Sequence, residues 1–475
     1  HHSNLTPEKE TRRHNLLAEN WDAPIVFTTQ VQFLETLFGS GTRDARRMHQ
    51  LANSVIILDE VQTVPIKIVH MLNAALRFLT HDSDSTVVLC TATQPPLDKL
   101  PNEYRKLTIE SEQQIIQDAA DLFKKLKRVE VHDERKLGGL TNSDIVNLVE
   151  RALDEKGSVL VVVNTRASAQ AVYKQIKARN MGAALYHLST NMCPANRMDV
   201  LENKIKPKLD AKEPVICVST QLIEAGVDID FGAVIRALAG LDSIAQSAGR
   251  CNRNGLREDG GSVWVVNLEE ENLDRLEEIK IGREHTQRVL DDFVENAESF
   301  DNDRIGLDSI ATYYSFYYQA RKDEMSYPVD GNSPVGRNDE LFNLLSRNSV
   351  AVQSYQRNNQ TQPDLVLRQS FSTAAKAFHV IETMSRGVVV PYEEGETVIA
   401  DLCGVQELDK QYKLLKKAQR YSVNLFTHQF ESLFNAGAIK EVQTGAGIFH
   451  LNERYYSEEF GWSDEPVKDM KTHIV

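Results

Sequence analysis

At 475 residues the chain is longer than one hydrophobic core supports, which leads us to expect two to four domains. A composition of 41% hydrophobic and 26% charged residues excludes collagen-like and disordered classes. The net charge of -14 excludes a uniformly basic coat for nucleic acid, although a local positive channel in an acidic protein is compatible with it.

From about residue 24 to 270, short apolar runs alternate with longer amphipathic stretches, the pattern of parallel α/β domains. Strands are expected at Ile25-Val26-Phe27, Val55 to Leu58, Val87 to Cys90, Val159 to Val163, Val215 to Val218, Val234-Ile235 and Val263 to Val266. These runs are continuous rather than alternating, as buried parallel strands are, and fall far short of the roughly 20 residues of a membrane helix. A helix is expected over Ala167 to Arg179 from the spacing of Ala171, Val172 and Ile176. Residues 101–145, more charged and less regular, read as a crossing between two α/β lobes.

After 270 the character changes. Glu271 to Glu298 reads as a charged helix, followed by the aromatic cluster Tyr313, Tyr314, Phe316, Tyr317 and Tyr318, which is expected to pack rather than to stack on bases. Asp330 to Arg337 and Gln356 to Asp364 read as loops or linkers. The last hundred residues read as a small α+β module. Five scattered cysteines (Cys90, Cys193, Cys217, Cys251, Cys403) without a Cys-x-x-Cys pair point to a reduced, cytosolic compartment without a disulfide framework or zinc site.

The chemistry-bearing residues follow strand ends, where open parallel sheets place their ligand groups. Asp59-Glu60 closes the strand at Leu58; the pair suits a magnesium ion on Asp59 and activation of a water by Glu60. Thr91-Ala92-Thr93 follows the next strand and could couple to the acids by hydrogen bonds. Gln246-Ser247-Ala248-Gly249-Arg250-Cys251-Asn252-Arg253 carries two arginines three apart, expected on one side of a helix, with chemistry suited to a transferring phosphoryl group. In Ser219 to Asp228, Thr220 would meet a nucleic-acid phosphate, and Gly226 and Asp228 a nucleotide. Thr28-Thr29-Gln30 and Asn164-Thr165-Arg166 hold equivalent positions, where hydroxyls and amides contact backbone phosphates without reading sequence. Helix capping is the competing account of Thr29, Thr165 and Thr220. His187 and Arg197 are further candidates to line the cleft.

In this order the motifs resemble those of superfamily 2 helicases over roughly residues 20 to 270. The forms Leu58-Asp59-Glu60-Val61-Gln62, Thr91-Ala92-Thr93-Gln94-Pro95 and Glu224-Ala225-Gly226-Val227-Asp228-Ile229-Asp230 resemble more narrowly the CRISPR-associated helicase-nuclease of type I interference systems. That resemblance implies tandem RecA-like lobes: residues 1–115 as the C-terminal part of lobe 1, 116–270 as lobe 2, 271–365 as a helical linker and 366–475 as a C-terminal accessory domain. It further implies ATP and Mg2+ as cofactors, with ATP bound by Asp59 and Glu60 from one lobe and Gly226, Asp228, Gln246, Arg250 and Arg253 from the other. Thr28, Thr29, Gln30, Thr91, Thr93, Asn164 and Thr220 would face single-stranded DNA. Translocation would run 3′ to 5′ along a strand exposed by an RNA-guided surveillance complex, towards a nuclease domain built on His-Asp ligands.

Two elements of the family pattern are missing from these 475 residues: a Gly-x-x-x-x-Gly-Lys-[Ser/Thr] phosphate loop and a His-Asp cluster. The expectation is a chain beginning part-way through the first lobe, or a naturally split protein completed by a companion polypeptide. The alternatives are another superfamily 2 helicase acting on RNA or duplex DNA, and a non-catalytic nucleic-acid-binding partner subunit.

Overall fold

The computed structural model describes residues 17, 19–100, 102, 105–224, 226–380, 385–404, 407–443 and 445–467. The chain divides into two units, each discontinuous in sequence: 1–119 with 311–382, and 120–310 with 383–475. The fold is α/β, as expected. The break at 119 falls near the expected lobe boundary, while the residues after 270 divide between the units instead of standing apart.

In the first unit, strands β1 (Val55–Asp59) and β2 (Thr86–Cys90) pair in parallel, in register from Val55↔Thr86 to Asp59↔Cys90. Helix α1 (Gln30–Phe38) precedes them, and α2 (Val69–His81) makes the crossover, burying Met71, Leu72, Leu76 and Leu79. Residues from the 311–382 segment complete this core. Phe378 packs tilted against Phe38, with ring centroids 5.3 Å apart, and the Tyr327 hydroxyl donates to the His379 carbonyl at 2.9 Å. The trio Ile25-Val26-Phe27, expected as a strand, is irregular and exposed (76%, 36% and 78%). Apolar content makes a strand only where a ladder partner lies alongside, and the described parallel sheet of this unit contains β1 and β2 alone. Val55 and Ile57, on one face of β1, are likewise exposed (70% and 64%), whereas Leu58 on the other face is buried.

The second unit is built on an all-parallel six-stranded sheet: β3 (Val129–Asp133), β4 (Ser158–Val162), β5 (Ala184–Leu188), β6 (Val215–Ser219), β7 (Ala233–Ala237) and β8 (Gly261–Val266), in the order β3-β8-β7-β4-β6-β5. Every residue of β4, β6 and β7 is buried, which explains the apolar runs of β4 and β6, whereas β7 carries one charge, Arg236. β3 and β5 are the edges and mix polar with apolar residues, and for that reason they were not anticipated. Helices α3 (Asn142–Lys156) and α4 (Arg166–Arg179) pack Val149, Ala152, Val172 and Ile176 onto the sheet, α4 being capped by Thr165. Helix α5 (Leu241–Ala248) follows β7, and α6 (Glu277–Glu295) lies within the expected charged helix 271–298; α7 (Leu307–Ala320) runs across the division at 310/311 and carries the aromatic cluster, with Tyr313, Tyr314 and Tyr318 buried, in the first unit. The expected loop at 330–337 is irregular; the one at 356–364 begins inside a helix that runs to Asn359.

The described residues between 385 and 467 form an α+β module, which begins later than the expected boundary at 366. Strands β9 (Ser385–Val389), β10 (Ser422–Phe426), β11 (Ile439–Glu441) and β12 (Phe449–Leu451) lie in the order β10-β9-β12-β11. The module does not stand free of the second lobe. A hairpin, β13 (Tyr456–Ser457) and β14 (Gly461–Trp462), docks on it: Trp462 N donates to Asn191 O, and Asn191 Nδ2 to Trp462 O, both at 3.0 Å. Gly461 sits at φ 76° with its Cα against the Asn191 carbonyl, so no side chain fits there.

Candidate functional site

The acidic turn is built by the end of β1. Asp59 is exposed, and its Oδ1 accepts the Glu60 N–H at 3.1 Å. Glu60 adopts a left-handed backbone (φ 53°, ψ 47°), an uncommon conformation for a glutamate that must be held by its surroundings. Gln30 does part of this, donating from Nε2 to the Asp59 and Glu60 carbonyls at 3.0 and 3.2 Å. Thr63 donates to the Glu60 carbonyl at 2.8 Å. The Glu60 carboxylate accepts from the Gln62 amide, whose oxygen in turn accepts from the Thr91 hydroxyl. Gln62 therefore ties the acidic motif to Thr91-Ala92-Thr93, as a coupling between them requires. Thr93 is buried, and its N–H donates to Thr91 Oγ1 at 3.0 Å. Thr28 is exposed; Thr29 caps α1 by accepting from Gln32 N at 3.2 Å. A shallow pocket of about 420 Å3 beside Asp59 is lined by Gln30, Val31, Leu34, Thr63, Pro65 and Val380, with no cation among them.

In the second unit, Asp228 and Arg253 are brought together: Arg253 Nε donates to Asp228 Oδ1 at 3.1 Å, with both side chains solvent-accessible. Asp230 fixes the backbone beneath this pair, accepting from the N–H groups of Arg253 and Asn254 at 2.8 and 3.1 Å. Gly226 turns the chain at φ 71°. Thr220 starts the turn Gln221–Ile223 and is 8% exposed. Gln246 is half-buried on α5.

The two arginines do not share a helix face. α5 ends at Ala248, and the following segment bonds to Phe231 instead (Phe231 N to Arg250 O and Asn252 N to Phe231 O, each 2.9 Å). Arg250 thus turns inward, 8% exposed, with Nε donating to the Ile223 carbonyl at 3.0 Å and NH2 to that of Glu224, while Arg253 faces solvent.

Asn164 is also turned inward. Its Nδ2 donates to Leu238 O (3.0 Å) and Glu271 Oε2 (2.8 Å), and its Oδ1 accepts from Arg236 (2.8 Å). No polar atom of that side chain is left for a phosphate. His187 lies under the C-terminal hairpin, edge-on to Tyr173 and Phe460, and burial pulls its pKa down to about 4. Burial likewise lowers the pKa of Arg197. His187 is buried away from solvent, whereas Arg197 is half-buried.

Four residues given no role in the sequence reading organise these sites: Gln62, Glu224 and Asp230, which stood there only as motif positions, and Arg236. Glu224 is 7% exposed, and Arg236, with a fully buried side chain, places Nε 3.0 Å from its carboxylate. Burial raises the Glu224 pKa against the opposing pull of Arg236. One signal was available: a lone charge inside the apolar run Ala233-Val234-Ile235-Arg236-Ala237 is costly unless paired.

Residues 155–256 match the family model described as the C-terminal part of the CRISPR-associated nuclease/helicase Cas3. The CRISPR-associated nuclease/helicase Cas3 of Haloferax volcanii is 26% identical over 335 residues, covering 54% of this chain and 36% of that protein. The crystal structure of T. fusca Cas3 superposes with a TM-score of 0.56 at 16% identity, covering 89% of this chain and 53% of that one. Structures of the same protein with ADP, AMPPNP and ATP give 0.53, 0.54 and 0.52. A chain in a pre-nicking CRISPR RNA-guided surveillance complex gives 0.52 at 15% identity, covering 91% and 57%. The chain therefore spans about half the length of these solved relatives and about a third of the curated one. In motif order, sequence relatives and fold, the chain is similar to helicases of the Cas3 type.

Proposed function

We propose that the chain carries the greater part of an ATP-driven motor that translocates on single-stranded DNA in CRISPR type I interference. It would be recruited by an RNA-guided surveillance complex and would feed a nuclease portion of the same or a companion chain. The observation that carries this reading is the acidic turn. A glutamate held in a left-handed backbone, with its carboxylate connected through Gln62 to Thr91, joins a water-activating group to a second motif by one hydrogen-bond path.

In this reading Glu60 orients the attacking water and accepts its proton. Arg253, half-exposed and backed by Asp230, stabilises charge on the transferring phosphoryl group, and Gly226, Asp228 and Gln246 face the nucleotide. Arg250 contributes from beneath, by holding the Ile223 and Glu224 carbonyls. The donor set fits magnesium: one exposed carboxylate, Asp59, supplies an oxygen, with water and phosphate oxygens completing the shell. When bound, the ion neutralises charge on the phosphates. Thr28, Thr91 and Thr220 remain the hydroxyls proposed to meet DNA backbone.

The pocket beside Asp59 has no cation in its lining, and the 475 residues contain no phosphate loop, so the main nucleotide anchor must come from elsewhere. The isolated chain is expected to hydrolyse ATP negligibly with or without single-stranded DNA. A protein in which a phosphate-loop segment accompanies it is expected to show DNA-stimulated hydrolysis. Ordinary turnover by the isolated chain would refute this reading.

A further inference from the structure

Glu224 carries a buried charge that the proposed nucleotide chemistry does not use. Its carboxylate accepts from the Ser243 hydroxyl at 2.8 Å and from Ser247 at 3.0 Å, two residues one turn apart on α5. Arg236 of β7 lies 3.0 Å away and also donates to Ser243 Oγ and to Asn164 Oδ1, both at 2.8 Å. The peptide carbonyl of the same glutamate receives Arg250. One residue therefore holds the arginine segment at two places: α5 through its side chain, and Arg250 just beyond α5 through its backbone carbonyl.

A buried ion pair contributes little net stability, since well-packed apolar residues of similar volume often do as well. What several bonds converging on one carboxylate do supply is a fixed geometry. We propose that Glu224 is a positioning residue that sets the segment Gln246 to Arg253 against the segment Gly226 to Asp228. The proposal rests on the reading that these segments act on ATP.

The test uses the full chain in two forms: the paired apolar variant Glu224→Leu with Arg236→Met, and Ser243→Ala with Ser247→Ala, which keeps the ion pair. Amide hydrogen exchange is followed over α5, with β4, β6 and β7 as internal reference. In both variants α5 amides are expected to exchange roughly ten- to a hundredfold faster than in wild type, the loss of hydrogen bonds to a charged group, while the sheet stays protected. Wild-type exchange of α5 in either variant overturns the proposal. Should the paired variant not fold, the serine variant decides alone.

A second readout separates positioning from packing. With a phosphate-loop segment supplied, kcat for ATP is expected to fall at least about tenfold in the serine variant with KM little changed. An unchanged kcat overturns the proposal. If the complemented wild type hydrolyses no ATP, the functional reading falls, and the exchange result still decides the positioning role.

Discussion

Replacing Asn164 with alanine is expected to destabilise the second unit without specifically weakening its grip on DNA. The side chain makes three hydrogen bonds, two of them buried and the one to Glu271 partly so: one to a neutral carbonyl (Leu238 O, 3.0 Å) and two to charged groups (Glu271 and Arg236, 2.8 Å each). A neutral bond contributes about 1 kcal/mol and a charged one about 2, so the loss is roughly 3 to 5 kcal/mol, allowing for partial rebonding of Arg236 to Glu224. For a unit of this size that corresponds to a fall in Tm on the order of 10 °C. Differential scanning calorimetry measures the loss, and anisotropy of a labelled single strand, taken below the new Tm, measures binding. An Asn164→Ala protein within about 0.5 kcal/mol of wild type that binds DNA tenfold more weakly would refute the reasoning and return Asn164 to the phosphate contact expected from sequence.

Three further predictions follow from burial. His187 is held neutral, with its pKa at about 4 against 6.5 unperturbed, so the unfolded chain takes up the proton first. Its contribution is intact above pH 6.5 and is lost as the pH falls towards 4, at about 1.4 kcal/mol per unit. Between those values, denaturant titrations of His187→Leu should lose stability less steeply than wild type; parallel slopes would contradict the assignment. Gly461→Ala places a methyl against the Asn191 carbonyl at a positive φ and should cost at least about 2 kcal/mol in thermal melts, releasing the C-terminal hairpin to proteolysis. A neutral result would mean that the hairpin does not dock as described. Val55→Thr with Ile57→Thr should alter stability by less than about 1 kcal/mol because both side chains are exposed, whereas Leu160→Ala, in the fully buried β4, should cost about 2 to 5. Equal losses in urea titrations would show that the exposed face of β1 is covered in solution.

What the sequence made legible follows burial. β4 and β6 are buried on both faces and announce themselves as apolar runs, while the edge strands β3 and β5 mix polar with apolar residues and do not. Ile25 to Phe27 shows the converse error, since an apolar trio without a neighbouring strand forms none. At the site, Asp59-Glu60 was recognisable because strand-end acids are a local signature. Gln62 was hidden, because its role depends on Thr91, 29 residues away. Helical spacing misjudged Arg250, because Phe231 captures the backbone after α5 and turns that side chain inward. The division of residues after 270 between two units rests on long-range packing such as that of Phe378 on Phe38, which no local pattern encodes.

ATP hydrolysis at the acidic turn is proposed to drive movement along DNA. The most direct test is single-strand translocation by the phosphate-loop-complete protein carrying Glu60→Gln. Translocation is expected to be abolished, with nucleotide binding retained, because Asp59 and the groups facing ATP are untouched. Wild-type translocation by that variant would contradict the claim and remove Glu60 from the reaction.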